Sequence, residues 1–353
     1  MRPPWRVLSD GALPTEEIYF LASAAPTLRA EGAVIERQLA RRRRLVLWRG
    51  GPRSQRHLAG VRVVLCRGLA PDWLRWLERH RGSLASVHYL IDDDLSAAAE
   101  DRSLPAAYRA RMARLARQQP RLLALADEVV VASRGLATQL ADRHPRVALL
   151  TPPLLAPLPP LAHFDSPPTI ESPWWVGFHG TRAHLADLRH IAPALMRVHE
   201  ARTDVAFEVM LGAHMPDELS RLWRCDTPSP LPWPRFRDYQ RQRRMHIGLA
   251  PLLDTPFNRG KSFIKFLDIA AMGGVGIYSR RAPYTEIVED GVNGLLADDT
   301  PEAWYRCLAW LLDHPGQAAR MARAAAETAR RVGDIRHAVA FWRDRDRGEP
   351  AGS

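Results

Sequence analysis

Lysine and asparagine are almost missing from this chain of 353 residues. Of its 50 basic residues 48 are arginine, the lysines are Lys261 and Lys265, and the asparagines are Asn258 and Asn293. Cysteine is equally sparse. Cys66, Cys225 and Cys307 are odd in number and far apart, which leaves no disulfide framework, zinc-ligand spacing or redox pair and sets the expectation of a reducing cytoplasm. Long apolar runs are lacking too. The N-terminus has no stretch of signal-peptide length. The best membrane candidate, 122–133, is too short and carries Asp127 and Glu128. The expected location is the cytoplasm, either free or peripheral at the inner face of the membrane. No GxGxxG fingerprint, Walker loop, HExxH helix or nucleophile elbow occurs, which argues against those enzyme classes.

What is there suits two ordinary α/β domains. The chain is 46% hydrophobic and 25% charged, enough apolar material for a core in each half. Its net charge of +11 fits a phosphorylated substrate, an acidic membrane surface or a polyanion. The arginines are scattered rather than gathered into a stripe with aromatics, so nucleic acid is not an expected partner. Arg41 to Arg44 form a basic run, read as a solvated turn, with a phosphate or lipid-headgroup contact as the alternative.

Short apolar runs at 7–9, 33–36, 61–65, 87–91 and 128–131 read as strands. Helical patterns at 16–30, 71–81, 105–125 and 134–142 lie between them, and such alternation points to parallel βαβ units. Eight prolines fall within 151–173, a density that neither helix nor strand tolerates, so this segment reads as a stiff linker. The alternation then resumes with strands at 174–178, 205–211, 246–250 and 275–278. Helices are expected at 184–201, 236–244, 261–272, 301–313 and 317–331. The expected organisation is a first domain at 1–150, a linker at 151–173 and a second domain at 174–331. A C-terminal helix or tail at 332–353 either stays free or packs back on the first domain. Two such domains leave a cleft between their carboxyl strand edges, where open parallel sheets bind ligands.

Three clusters carry candidate chemistry. In the first, a polar loop, DTPFNRG, leads to Lys261 and Ser262 at the expected start of a helix, where free N–H groups favour phosphate. Lys261, Lys265 and Asp268 recur at i, i+4 and i+7 and would share a helical face. A compact lysine charge for a diphosphate beside a carboxylate for ribose hydroxyls is a workable nucleotide grip. The bland alternative is an amphipathic helix with solvated lysines. In the second, a strand runs into His179, Gly180 and Thr181. Gly180 permits close ligand approach, and His179 is either a core histidine or an active-site one. In the third, Asp92, Asp93 and Asp94 end a strand. Three adjacent carboxylates repel and need compensation. Asp94 suits a helix N-cap, and Asp93 is the candidate to face the cleft. Ser133 reads as a helix cap, Glu286 as the opening of a helix, and Gly11 as either a turn or a loop near the cleft.

The first cluster and the segment C-terminal to it resemble the donor-binding region of glycosyltransferase family 4 (glycosyl transferases group 1). The match runs through the Lys261 loop, Asp268, AAMGG, the strand VGIYS, YTEIVEDGVNGLL and the helical tail 301–325. It covers 174–331 well and the first half loosely. The resemblance implies the GT-B fold, two Rossmann-like domains with a cleft between them. It also implies transfer of a sugar from a nucleotide-diphosphate sugar to a glycan, lipid-linked or small-molecule hydroxyl, with retention, as in polysaccharide biosynthesis. The donor is a substrate; no cofactor or metal is implied. Catalytic candidates are Asp93, His179 and Lys261. Donor-binding candidates are Gly180, Thr181, Arg182, Asn258, Lys261, Ser262, Lys265 and Asp268, with Arg182 near the place of the family's diphosphate arginine. One departure stands out. The family carries Glu-x7-Glu here; Asp268 fills the second position, but Gly260 stands at the first, so the first carboxylate is missing unless Asp254 or another side chain replaces it. The alternatives are a sugar-nucleotide epimerase of the same fold and a degenerate subunit that binds nucleotide or glycan without turnover.

Overall fold

In the computed structural model the described residues are 2–11, 13–40 and 59–347, so the basic run 41–44 lies outside them. The first sheet contains β1 (Trp5–Ser9), β2 (Ile35–Leu39), β3 (Arg62–Cys66), β4 (Ser86–Ile91), β5 (Glu128–Val131) and β6 (Val147–Leu149), in the order β2-β1-β3-β4-β5-β6. The second contains β7 (Trp174–Phe178), β8 (Val205–Val209), β9 (Cys225–Asp226), β10 (Ile247–Ala250), β11 (Val275–Ser279) and β12 (Leu295–Ala297), in the order β12-β11-β10-β7-β8-β9. Every strand pair is parallel. Strand order reverses between β1 and β3 and again between β7 and β10. These switch points open a crevice outside the carboxyl ends, where helix crossovers diverge. Strands β3, β4 and β5 read as continuous apolar runs because helices cover both of their faces.

The structure corrects two helices. The pattern at 16–30 is broken into Leu13–Glu16, a π-helical turn Glu17–Leu21, and Ala25–Ala30. Pro26 in the first turn of the last piece cannot donate to the preceding turn, so the helix restarts there. The helix expected at 261–272 spans only Ile264–Ala271. Thr255 caps a separate short helix, Pro256–Arg259, and Gly260 ends it. Lys261 therefore sits on a turn, its N–H donating to the Asn258 carbonyl at 3.1 Å, and it does not share a helical face with Lys265 and Asp268. Strands β6, β9 and β12 and the helix Leu95–Glu100 are additional; each is too short for periodicity to reveal.

The C-terminal helix Ile335–Arg347 returns to the first sheet. Trp342 packs among Trp5 and Phe20 and donates from Nε1 to the Tyr19 carbonyl at 2.7 Å. Arg345 grips buried Glu128 with two bonds of 2.5 and 2.7 Å. The segment 151–173 is largely irregular, and it is anchored by His163, whose ring lies 5.0 Å from that of His246. His246 accepts from the Trp175 N–H at 3.0 Å and donates to the His163 carbonyl at 2.9 Å, so its neutral form is built in.

Burial lowers the pKa of His246 to about 4 and also lowers those of His88 and His163. The unfolded chain then binds more protons than the folded one as pH falls below the ordinary histidine value of about 6.5. His246 thus contributes stability that is fully present above about pH 6.5 and lost as pH falls toward 4. The shift corresponds to about 3 kcal/mol. Chemical denaturation across pH 7 to 4.5 is expected to show falling stability, with a flatter profile in His246→Gln. An unchanged profile in that variant would remove His246 as the cause. Glu128, held at about 2 with burial opposed by His88 and Arg345, acts in a lower window.

Candidate functional site

The carboxyl ends of β3, β4, β7 and β10 converge on one cavity of ≈ 370 Å³ between the two sheets, within the range of small-molecule sites. The first domain contributes Tyr19, Arg67, Asp92, Asp93 and Tyr108. The second contributes His179, Gly180, Thr181, His184, Lys261, Ser262, Lys265 and Asp268, with an apolar wall that includes Met210, Leu231, Trp233 and Phe236. Of the sequence candidates, Asp93, His179, Gly180, Thr181, Lys261, Ser262, Lys265 and Asp268 are therefore brought together.

Two candidates are not. Arg182 is exposed and absent from the cavity lining, and its side chain has no ion pair or hydrogen-bond partner among the described residues. The Thr181 hydroxyl caps the short turn that begins at Arg182, so Arg182 starts that turn rather than facing the cleft. Asn258 is buried and donates to Asp187 Oδ1 at 3.1 Å and to the Leu253 carbonyl at 3.0 Å. Its carboxamide locks the loop instead of meeting a ligand. Asn293 is likewise a loop lock, donating to the Ile287 carbonyl at 3.0 Å and accepting from the Glu289 N–H at 2.9 Å.

Lys261 crosses the domain boundary. Its Nζ donates to Asp93 Oδ1 at 2.6 Å and lies 3.9 Å from the centre of the Phe257 ring. Lys265 donates to Asp268 Oδ2 at 3.1 Å, and Asp268 Oδ1 accepts from Gln240 at 2.7 Å. The cleft's cations Arg67, Lys261 and Lys265 are thus balanced by Asp92, Asp93 and Asp268. Burial works against the charged form of Asp93, yet the Lys261 ammonium and the Arg67 guanidinium outweigh it and keep its pKa below the ordinary carboxylate range.

His179 is buried beside Glu208, its Nε2 2.6 Å from Glu208 Oε1. Tyr239 donates to the same oxygen, and Arg243 lies 2.7 Å from the other. Burial opposes ionisation of Glu208, but these partners together lower its pKa, so the carboxylate stays charged and orients the imidazole. Gly180 has no room for a side chain: a Cβ there would fall 2.6 Å from the Phe178 ring.

The domains also touch through backbone. Ser133 caps its helix, accepting from the Leu136 N–H at 3.2 Å, and donates to the Gly260 carbonyl at 2.7 Å. A Cβ at Gly135 would fall 2.0 Å from the Arg259 carbonyl oxygen. Glu286 ends a short turn rather than opening a helix, and pairs across the boundary with Arg134 at 3.4 Å. A Cβ at Gly260 would meet Leu136 at 3.2 Å and Asp94 at 3.4 Å, so a side chain there would press closely on the first domain. Asp254 does not replace the missing glutamate: the residue is exposed and bound to Arg259 at 2.8 Å.

Sequence reading missed Arg67, Glu208 and Gln240. The signal for Arg67 was indirect: three adjacent aspartates demand a cation, and Arg67 is that cation. Asp94 is the N-cap, accepting from the Ala97 N–H at 2.9 Å.

No protein-family model matches the chain, and comparison with characterised sequences finds no match. Solved structures do match. Sucrose-phosphate synthase from Thermosynechococcus elongatus superposes with a TM-score of 0.68 at 14% identity, covering 98% of this chain and 99% of that one. Anabaena Alr3699/HepE, crystallised with UDP and glucose, gives 0.64 at 11% identity, over 97% and 99%. An alpha-glucosyltransferase in complex with UDP-glucose and DNA containing an abasic site gives 0.62 at 9% identity, over 98% and 99%. These neighbours are GT-B glycosyltransferases, and at such identities the likeness establishes the fold: this chain has the GT-B fold.

Proposed function

We propose that this chain is a glycosyltransferase that moves a sugar from a nucleotide-diphosphate sugar to a hydroxyl acceptor. The observation that carries the reading is the cleft edge formed by Lys261, Ser262, Lys265 and Asp268 opposite the Gly180–Thr181 loop, at the strand-order switch of the second sheet. Lys261 and Lys265 neutralise the leaving diphosphate, which is the main electrostatic task of such a transfer. Asp268, positioned by Gln240, accepts from ribose hydroxyls. The apolar wall of Met210, Leu231, Trp233 and Phe236 offers the base a dry, partly aromatic seat. UDP-sugars are the first donors to try, because two of the structural neighbours hold UDP or UDP-glucose. Membership of glycosyltransferase family 4, retention of configuration and a glycan or lipid-linked acceptor in polysaccharide biosynthesis are parts of the same proposal. Apart from the donor, the reaction so drawn uses no cofactor. The net charge of +11 supports peripheral attachment at an acidic membrane surface. Among the described residues no helix is long and apolar enough to cross a membrane.

A thermal-shift screen with UDP-, GDP-, ADP- and dTDP-sugars tests this reading. A ligand at 100 times its Kd stabilises the fold by about 2.7 kcal/mol, so one base series should raise Tm by several degrees. No shift with any of them at millimolar concentration would overturn it.

A further inference from the structure

Arg67 belongs to none of the three sequence clusters, yet backbone and side chain are both held in place at the cleft. It lies directly after β3, and its φ of 56° makes it the one non-glycine residue with positive φ among the described residues. A left-handed backbone is disfavoured for a side chain with a Cβ and is kept where surrounding structure over-determines it. Here the surroundings do so. The Arg67 N–H donates to the Leu90 carbonyl at 3.0 Å, and its carbonyl accepts from the Tyr89 hydroxyl at 3.0 Å. The resulting direction carries the guanidinium across the ends of two consecutive aspartates. Nε donates to Asp92 Oδ1 and Nη2 to Asp93 Oδ2, each at 2.6 Å. Asp92 Oδ2 accepts from Thr15 at 2.8 Å, which completes that carboxylate. Of the four oxygens, Asp93 Oδ1 is the one left for the cleft, where it meets Lys261.

We propose that Arg67 is a positioning residue: it fixes the Asp92–Asp93 pair so that Asp93 Oδ1 faces the cleft as a charged acceptor for a hydroxyl of the transferred sugar or of the acceptor. The inference rests on the nucleotide-sugar donor reading, because Oδ1 becomes available when Lys261 turns to a diphosphate. Planarity matters. Two carboxylates are held by two nitrogens of one rigid fork, a geometry that a lysine ammonium cannot reproduce.

The test compares Arg67→Lys and Arg67→Met with wild type. Both are expected to lower kcat by about 10²-fold, the cost of misplacing a reacting group by about 1 Å, while nucleoside-diphosphate Kd stays within about threefold. The acid limb of kcat should move to higher pH in Arg67→Met. The other groups facing Asp93 are Lys261, Asp92, His184, Tyr108 and Tyr19, and they are unchanged in that variant. Donor hydrolysis without acceptor identifies the hydroxyl: loss of hydrolysis and transfer together assigns it to the donor sugar, loss of transfer alone to the acceptor. Wild-type kcat and pH profile in Arg67→Met would overturn the proposal. A readout independent of turnover separates it from the functional reading. The only lysines are Lys261 and Lys265, so reductive ¹³C-methylation gives two lysine side-chain signals for NMR. Arg67→Met should shift the Lys261 signal and raise the pH at which that signal reports protonation of Asp93, even if no donor is ever found. A Lys261 signal indifferent to Arg67 overturns the positioning role.

Discussion

Lys261→Ala is expected to lower kcat/KM for a nucleotide-sugar donor by about 10²- to 10³-fold, the usual cost of removing one preorganised donor from a developing oxyanion. The variant has two effects that must be separated. Lys261 is also the partner of buried Asp93 at 2.6 Å, and removing one member of a buried pair leaves a charge without its match. Arg67 remains on the other carboxylate oxygen, so the stability loss is smaller than for an isolated pair. The double variant Lys261→Ala/Asp93→Asn removes both charges. It should regain most of the lost stability in a denaturant titration and none of the lost donor use. Lys265→Ala should have a milder effect, because that lysine is more exposed and pairs with Asp268 within its own helix. Undiminished donor hydrolysis and transfer by Lys261→Ala would refute the phosphate assignment.

Gly135→Ala is expected to cost about 10²-fold in kcat/KM while leaving each domain as stable as before or more so. The residue lies in the helix Arg134–Ala141, where alanine is intrinsically better than glycine by up to about 1 kcal/mol. Local propensity therefore favours the substitution. Its Cβ, however, would lie 2.0 Å from the Arg259 carbonyl oxygen, far inside contact distance and against backbone, so the second domain must retreat. Retreat stretches the Ser133–Gly260 bond of 2.7 Å and the Lys261–Asp93 contact together. A rise in Tm with a fall in turnover would separate docking from folding. Wild-type activity in Gly135→Ala would mean that the domain arrangement tolerates this displacement.

Much of the site was legible in the order of residues. Lys261, Lys265 and Asp268 could be singled out together because a polar loop leads from a buried strand into an apolar helix there, and all three line the cleft. Asp94 was readable as a cap and Asp93 as the cleft-facing aspartate, because three adjacent carboxylates cannot all be capping or solvated. The register within the loop was not legible. Thr255 and Pro256 nucleate their own turn of helix, and that local competition moved the main helix start from 261 to 264. Arg182 and Asn258 carried the right chemistry at plausible spacing. Whether such a side chain faces a ligand or locks a loop depends on partners such as Asp187, 71 residues away from Asn258.

By itself the sequence determined the class of fold. Alternating apolar runs and helical periods, split by a proline-rich segment, admit few arrangements other than two doubly wound domains. It also set apart two lysines in an arginine-rich chain, and both line the cleft. Tertiary structure alone decided what compensates what. Arg67 meets Asp92 and Asp93 from a neighbouring strand, Glu208 orients His179 from 29 residues away, and Gly260 packs closely against Leu136 and Asp94 of the other domain. Periodicity is a property of neighbours along the chain. Charge balance and close packing are properties of neighbours in space, and only the folded cleft brings those together.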